Sequence, residues 1–98
     1  MDVPHFHYVP RCSVPGCSEP APYKLAAPWS DGTSRELKNY GLACRKHREE
    51  QFVRAQRYRS LLVITEGETV GPVAVYELVA GTRDVDLPEL AIDPEASA

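Results

Sequence analysis

Long apolar runs are absent from the 98-residue chain. A membrane-spanning helix needs about 18 or more consecutive apolar residues, so the sequence argues against a membrane protein. The first five residues also lack the basic stretch followed by an apolar one that begins a secretory signal. We therefore expect a soluble, cytoplasmic protein that contacts no membrane.

Material for a large hydrophobic core is also scarce. A chain of this length buries only about 60–65% of its unfolded surface, and this one has one tryptophan and two phenylalanines. Small domains of this kind usually need a disulfide or a metal ion for stability. We expect a single zinc-binding domain over residues 1–92, for the reasons given below, and a disordered tail over residues 93–98.

The cysteine count indicates which kind of cross-link is present. The chain has three cysteines, and an odd number leaves one thiol over in a disulfide framework. Adding His47 gives two ligand pairs, Cys12-x4-Cys17 and Cys44-x2-His47, separated by 26 residues. Zinc prefers four tetrahedral sulfur and nitrogen ligands, so we predict one structural zinc ion held by these four residues. The alternative is a Cys12–Cys17 disulfide with a free Cys44, which requires an oxidising compartment.

The residues between the ligand pairs favour a β-hairpin. Pro15 and Gly16 form a turn signal inside the first pair. Residues 23–29 alternate apolar side chains on one face, which is the periodicity of a strand, and Pro28 places this strand at an edge or near its end. An Asp-Gly turn follows at Asp31, and residues 34–42 return as the second strand.

The pattern changes to helical at Cys44. We predict a helix over residues 45–64, with Gly67 as a candidate C-terminal cap. At about 100° per residue, one face of this helix carries Cys44, His47, Gln51, Ala55, Tyr58 and Leu62, and we expect that face to be buried.

Residues beyond the helix extend the domain. Residues 73–79 are rich in β-branched and aromatic side chains and are predicted to form a third strand. The acidic segment 84–90 offers Leu87 and Leu90 as apolar anchors.

The order of a knuckle with two cysteines, a hairpin and a helix with two further ligands resembles the treble-clef zinc-finger family. The resemblance covers roughly residues 11–64, although the x4 spacing of Cys12 and Cys17 is longer than the family's usual x2. It implies an α+β fold made of a zinc knuckle, a β-hairpin and an α-helix, here with a C-terminal extension over residues 65–92 that carries the additional strand and leads into the acidic tail. Members of the family bind nucleic acid or protein, and some are nucleases.

Catalysis is not expected. Four ligands close a tetrahedral zinc site, whereas a catalytic zinc keeps one position open. His47-Arg48-Glu49 contains the H-x-E of zinc deaminases, but in those enzymes the cysteine pair lies downstream with x2 spacing. Treble-clef nucleases need a histidine beside the metal, and the predicted hairpin, residues 23–43, contains none. We predict a protein that is not an enzyme and has no small-molecule substrate.

The charge distribution leaves two kinds of partner open. Residues 44–60 carry six basic side chains and two acidic ones: Arg45, Lys46, Arg48, Arg54, Arg57 and Arg59 against Glu49 and Glu50. Residues 61–98 carry Arg83 as the one base among eight acids, and this segment is a candidate to fold over the helix. We favour a protein-interaction or regulatory module. In it, the apolar side chains of Phe52 and Val53 are expected to be buried, either by the third strand or by a partner protein. The alternative is a nucleic-acid-binding zinc finger that uses the basic helix 45–59.

Two further histidines near the N-terminus, His5 and His7, would face the same way in an extended strand. A second metal site there is a minor alternative, because no third ligand accompanies them.

Overall fold

The structure is a computed structural model that describes residues 9–90. It contains one antiparallel sheet and one α-helix, which confirms the α+β class. The predicted tail 93–98 and the histidine pair His5 and His7 lie outside the described residues. The elements are β1 (Tyr23–Ser30), β2 (Arg35–Ala43), α1 (Arg48–Ser60), β3 (Thr69–Val70), β4 (Ala74–Glu77), one turn of 3-10 helix (Asp84–Asp86) and β5 (Glu89–Leu90).

The predicted hairpin is present, with β1 in the interior of the sheet and β2 at its edge. β1 pairs with β2 along its whole length, from Tyr23 opposite Ala43 to Ser30 opposite Arg35. The connecting turn is held by the Asp31 carboxylate, which accepts hydrogen bonds from the backbone N–H groups of Thr33 and Ser34. On its other side β1 pairs with β4 and then with β3, while β5 extends the sheet beyond β4.

Of the two positions predicted for Pro28, the edge of the sheet is wrong, because β1 is a central strand, whereas the strand end is right, because Pro28 lies near the end of β1 at Ser30. Proline lacks a backbone N–H and so cannot donate a hydrogen bond to a neighbouring strand. It is tolerated at position 28 because this part of β1 lies opposite the gap between β3 and β4, where no such bond is required. The Pro28 carbonyl still accepts a hydrogen bond from the N–H of Gly71, at 2.8 Å. Gly71 comes so close that a Cβ atom there would lie 2.7 Å from Cγ of Pro28.

Apolar side chains are buried on both faces of the sheet. One cluster lies between the sheet and α1, and its buried members are Leu25, Ala27, Ala43, Ala55, Val73 and Val75. A smaller cluster on the other face contains Ala26, Ala74, Tyr76 and Leu87. Leu87 and Leu90 thus anchor the C-terminal segment as predicted, Leu87 in the second cluster and Leu90 against the first.

The helix is shorter than predicted. It begins at Arg48, because Arg45 to His47 form a turn, and it ends at Ser60. Gly67, with φ of +88°, belongs to a separate turn and does not cap the helix. Gln51 and Ala55 are buried as expected.

Tyr58 is 49% exposed, so its predicted burial is wrong. The guanidinium of Arg54 lies over the Tyr58 ring, 5.4 Å from its centroid, and holds the ring at the surface. Arg59 instead turns towards the sheet and donates hydrogen bonds to the carbonyls of Val70 and Gly71.

The 3-10 turn Asp84–Asp86 and Leu87 lie on the sheet face opposite α1. Asp84 pairs with Lys24 at 2.8 Å, and Leu87 packs beside them in the second cluster. These residues therefore do not cover the basic helix. Other parts of the segment 61–98 do contact α1, since Arg59 bonds to Val70 and Gly71, and residues 91–98 lie outside the described residues. No helix among residues 9–90 is both long and apolar enough to cross a membrane.

Candidate metal centre

Residues 10–21, called the knuckle below, form a narrow loop that carries two of the predicted ligands. Its two sides are joined by hydrogen bonds from Cys12 N–H to the Glu19 carbonyl and from Ala21 N–H to the Pro10 carbonyl. At its tip, Cys17 N–H bonds to the Val14 carbonyl, which closes a turn over Pro15 and Gly16. Gly16 has φ of +84°, a conformation that glycine adopts without strain. The turn brings the two thiols to one side of the loop.

Ser13 attaches the knuckle to β2. Its backbone N–H donates to the Leu42 carbonyl at 2.9 Å, and its Oγ accepts from the Leu42 N–H at 2.8 Å. Gln51 of α1 donates to the same carbonyl at 3.4 Å. Gly41 lies at this junction with φ of +145°, a backbone conformation that favours glycine. Sequence reasoning missed the role of Ser13, which carries no signal of its own.

The hairpin brings the second ligand pair alongside the knuckle. The last rung of the β1–β2 ladder joins Tyr23 to Ala43, and Cys44 follows at once. The chain then turns, and His47 takes the N-cap position of α1, where its carbonyl accepts the Gln51 N–H. Cys44 is thus fixed by the sheet and His47 by the start of the helix.

The four predicted ligands meet at one point. The sulfurs of Cys12, Cys17 and Cys44 and a ring nitrogen of His47 all lie within 4.8 Å of one another. Measured pairs are 3.6 Å for Cys12 Sγ to His47 Nδ1, 3.3 Å for Cys44 Sγ to His47 Nδ1, and 4.0 Å for Cys17 Sγ to Cys44 Sγ.

These separations fit a tetrahedral ion. Zinc about 2.3 Å from sulfur and about 2.0 Å from nitrogen separates two sulfurs by about 3.8 Å, and sulfur from nitrogen by about 3.5 Å. A disulfide requires about 2.0 Å between sulfurs. All three cysteines are free thiols, so the alternative disulfide between Cys12 and Cys17 is not present.

The thiols influence one another's ionisation. Burial raises the pKa of Cys12, but hydrogen bonds from the N–H groups of Val14 and Cys44 and from the thiols of Cys44 and Cys17 together lower it more, so its pKa lies below the usual value. A hydrogen bond from the Glu19 N–H lowers the pKa of Cys17, but desolvation and the neighbouring thiols raise it by more. The pKa of Cys17 therefore lies above its usual value. Several thiolates this close repel one another, and a divalent cation among them would remove that cost.

Basic residues surround the cluster. Arg45 and Lys46 are exposed in the turn between the two ligands of the second pair. Arg48 lies over the ring of Tyr23, 5.2 Å from its centroid, and Arg11 donates to the Ser18 carbonyl within the knuckle. Three thiolates, a neutral imidazole and a divalent ion leave a net charge of about −1, which these cations can offset.

No protein-family model matches the chain, and no curated protein or solved structure is significantly similar to it.

Proposed function

We propose that this protein is a zinc-binding module of treble-clef type, in which one structural zinc ion joins the knuckle to the hairpin and α1. The observation that carries the proposal is the complete set of four sulfur and nitrogen donors within 4.8 Å of one another. Thiolate donors favour zinc over magnesium or calcium, which prefer oxygen. Because four protein ligands fill a tetrahedral shell, the site has no position for a substrate, and we propose no catalytic role.

The zinc proposal is tested by native mass spectrometry with elemental analysis of the intact protein. One zinc per chain is expected, and Cys44→Ser should remove it. Ser18→Ala is a matched control, because Ser18 is an exposed residue of the knuckle and not one of the four donors. Full zinc content in Cys44→Ser, or none in the parent protein, would refute the assignment.

We further propose that the module acts by binding another protein through the outer face of α1. This outer helix face consists of Val53, Arg54, Arg57, Tyr58 and Leu61. Its apolar members are well exposed, with Val53 at 55% and Leu61 at 72%. Phe52, expected to need cover, is half-buried against the first cluster instead.

The side chains of the outer helix face indicate which kind of protein surface could bind there. Tyrosine and arginine are frequent among the residues that dominate binding energy, and Arg54 already stacks on Tyr58. Neither Arg54 nor Arg57 forms an ion pair within residues 9–90. The outer helix face therefore suits a protein surface that presents apolar side chains together with carboxylates.

Substitutions on the outer helix face test this role. Leu61→Glu should abolish the interaction with a copurifying acidic partner, whereas Val79→Glu, an exposed apolar position outside the face, should leave it intact. Arg57→Glu should weaken binding most at low salt, because its contribution is electrostatic. Equal binding by Leu61→Glu and Val79→Glu would refute this surface.

Nucleic-acid binding is the second candidate, favoured by one observation. The basic residues Arg45, Lys46, Arg54 and Arg57 are exposed, and the acidic 3-10 turn Asp84–Asp86 packs on the opposite sheet face. Binding to phosphates would weaken steeply with salt, since each neutralised phosphate releases counterions. Submicromolar, salt-sensitive binding of mixed oligonucleotides, lost on charge reversal at Arg45 and Lys46, would favour this function over protein binding.

A further inference from the structure

Strand β2 is an outer strand of the sheet, and half of its outer edge is free. The order β2-β1-β4-β5 leaves β2 with one neighbouring strand. Near its end, the outward N–H and C=O of Leu42 are occupied by Ser13 of the knuckle. No hydrogen bond among the described residues occupies the outward backbone groups at the beginning of β2, although the 3-10 turn Asp84–Asp86 lies close to this strand.

The turn determines which backbone groups point outward. Asp31 and Ser34 form a hydrogen-bonded pair, and such pairs alternate with non-bonded pairs along an antiparallel ladder. Arg35, Leu37 and Asn39 therefore direct their N–H and C=O groups away from β1. Pro28, opposite Leu37, agrees with this assignment, because its carbonyl bonds to Gly71 on the far side of β1.

Both ends of this free edge, residues 35–39, are set by the structure. Before it lies the turn closed by Asp31 and Ser34. After it the register shifts, since Ala26 pairs with Asn39 but Leu25 pairs with Gly41. The central residue of the free edge is Leu37.

The sequence of the free edge is complementary to itself. In an antiparallel pair of two such edges centred on Leu37, Leu37 lies opposite its own copy, and the three outward residues match as hydrogen-bonded pairs. Glu36 of each chain then lies directly opposite Lys38 of the other, on one face. A shift by one hydrogen-bonding step in either direction places Glu36 opposite Glu36 or Lys38 opposite Lys38, which is unfavourable.

Opposite charges at this spacing are unusual for a protected edge. Proteins commonly block exposed edges with charges of one sign, often lysine, that repel a second copy. Here the two charged residues have opposite signs and flank the centre symmetrically, and both are exposed. Leu37 is half-buried against the second cluster, so its copy would extend that apolar surface across the junction.

We propose that this protein forms a symmetric dimer in which the β2 strands of two copies pair antiparallel about Leu37, joining two sheets into one. The occupant of the free edge is a second copy of the chain because backbone direction, length and charge all select the same register. The dimer does not depend on the partner proposed for α1, which lies on a different surface.

Association is measured on the zinc-loaded full chain by sedimentation equilibrium over a range of concentrations. The parent protein should show a monomer–dimer equilibrium. Glu36→Lys and Lys38→Glu should each raise the dissociation constant by about 10-fold or more, because each places like charges opposite one another twice per dimer. Glu77→Lys is the control for net charge, since Glu77 is exposed in β4, on the far side of β1 from the free edge, and it should dimerise like the parent.

Mixing the two variants gives the sharper test. In a heterodimer of Glu36→Lys with Lys38→Glu, both charge pairs are again opposite in sign. The mixture should therefore associate more tightly than either variant alone, and this result also rules out misfolding as the cause of dissociation.

Hydrogen exchange identifies the strand involved. The amides of Arg35, Leu37 and Asn39 should gain protection as concentration rises, whereas those of Glu36 and Lys38, already bonded to β1, should not change. A parent protein that stays monomeric at all concentrations would overturn the proposal. A dimer unaffected by either variant, a mixture that fails to associate, or protection without this alternation would overturn it as well.

Discussion

At the scale of single residues, polar side chains join parts of the chain that apolar packing leaves apart. Trp29 in β1 donates its indole N–H to Glu68 at 2.6 Å, and Lys24, also in β1, reaches Asp84 on the other face of the sheet. Hydrogen bonds to charged groups are stronger than neutral ones, so these contacts fix the loops that contain their acids. Both should be visible in measurements on single substitutions.

The ionisation of Glu68 should be coupled to Trp29. Hydrogen bonds from the Thr65 hydroxyl, the Trp29 indole and the Thr65 N–H hold the pKa of Glu68 below its usual value. The stability this provides is present above the ordinary glutamate pKa and is lost as pH falls through the lowered one. Because Trp29 is the single tryptophan, its fluorescence should titrate in that acidic range. Glu68→Gln should abolish the transition; an identical titration in this variant would disprove the coupling.

The ion pair of Lys24 and Asp84 should contribute more to the free energy of unfolding than the nearby pair of Arg83 and Asp86. The side chain of Lys24 is only 10% exposed, so Asp84→Asn leaves a poorly hydrated ammonium group without its partner. We expect a loss of about 1–2 kcal/mol in the free energy of unfolding, since half of the Asp84 side chain reaches water. Asp86→Asn, which breaks an exposed pair with Arg83, should cost less than about 0.5 kcal/mol. Urea unfolding of both variants decides, and equal losses would contradict the argument.

At the scale of elements, the features that could be predicted from the sequence are those whose interactions are local. The turn and the alternating apolar side chains that predict the hairpin lie within a few residues of each other in the sequence. The metal ligands are recognisable because few residue types bind zinc. The central position of β1 could not be predicted, because it depends on pairing between distant segments such as Leu25 and Val75. The helix likewise ends where Arg59 bonds to Val70 and Gly71, a contact that periodicity does not contain.

The junction of β1 with the segment before β4 should be sensitive to one methyl group. Gly71→Ala places a Cβ 2.7 Å from Cγ of Pro28, so we expect a loss of about 1–3 kcal/mol. The Pro28→Ala substitution removes the obstructing atom and should recover most of this loss in the double variant. A double-mutant cycle by thermal unfolding measures the coupling. Additive effects of the two substitutions would mean that contact with Pro28 is not the cause of the destabilisation by Gly71→Ala.

At the scale of the whole molecule, the metal centre joins three parts of the chain: the knuckle, the end of β2 and the start of α1. The buried clusters are small and rich in alanine, with Leu25 the one large side chain fully buried among the described residues. Such a core provides modest stability, since the free energy of burial scales with apolar area. If zinc occupies the site as proposed, we expect it to account for much of the stability of the fold.

Removal of the metal should unfold the protein cooperatively. Structural zinc contributes on the order of 10 kcal/mol in small sites, comparable to the net stability of a whole domain. Chelation should collapse the amide dispersion in NMR spectra, and zinc should restore it. His47→Cys should retain metal and fold, because four cysteines also suit zinc, whereas His47→Ala should not. Full dispersion in the chelated protein would contradict this.

The register of the hairpin has a consequence for the order of events during folding. Once Tyr23 is opposite Ala43, the segments holding the two ligand pairs emerge side by side from the same end of the ladder. A hairpin forms in about 1–10 μs, so the loop between the two ligand pairs closes long before the slower steps of folding are complete. Metal capture would then follow a pre-equilibrium in the unfolded chain, and its rate would depend on the fraction of molecules in which this hairpin has transiently formed.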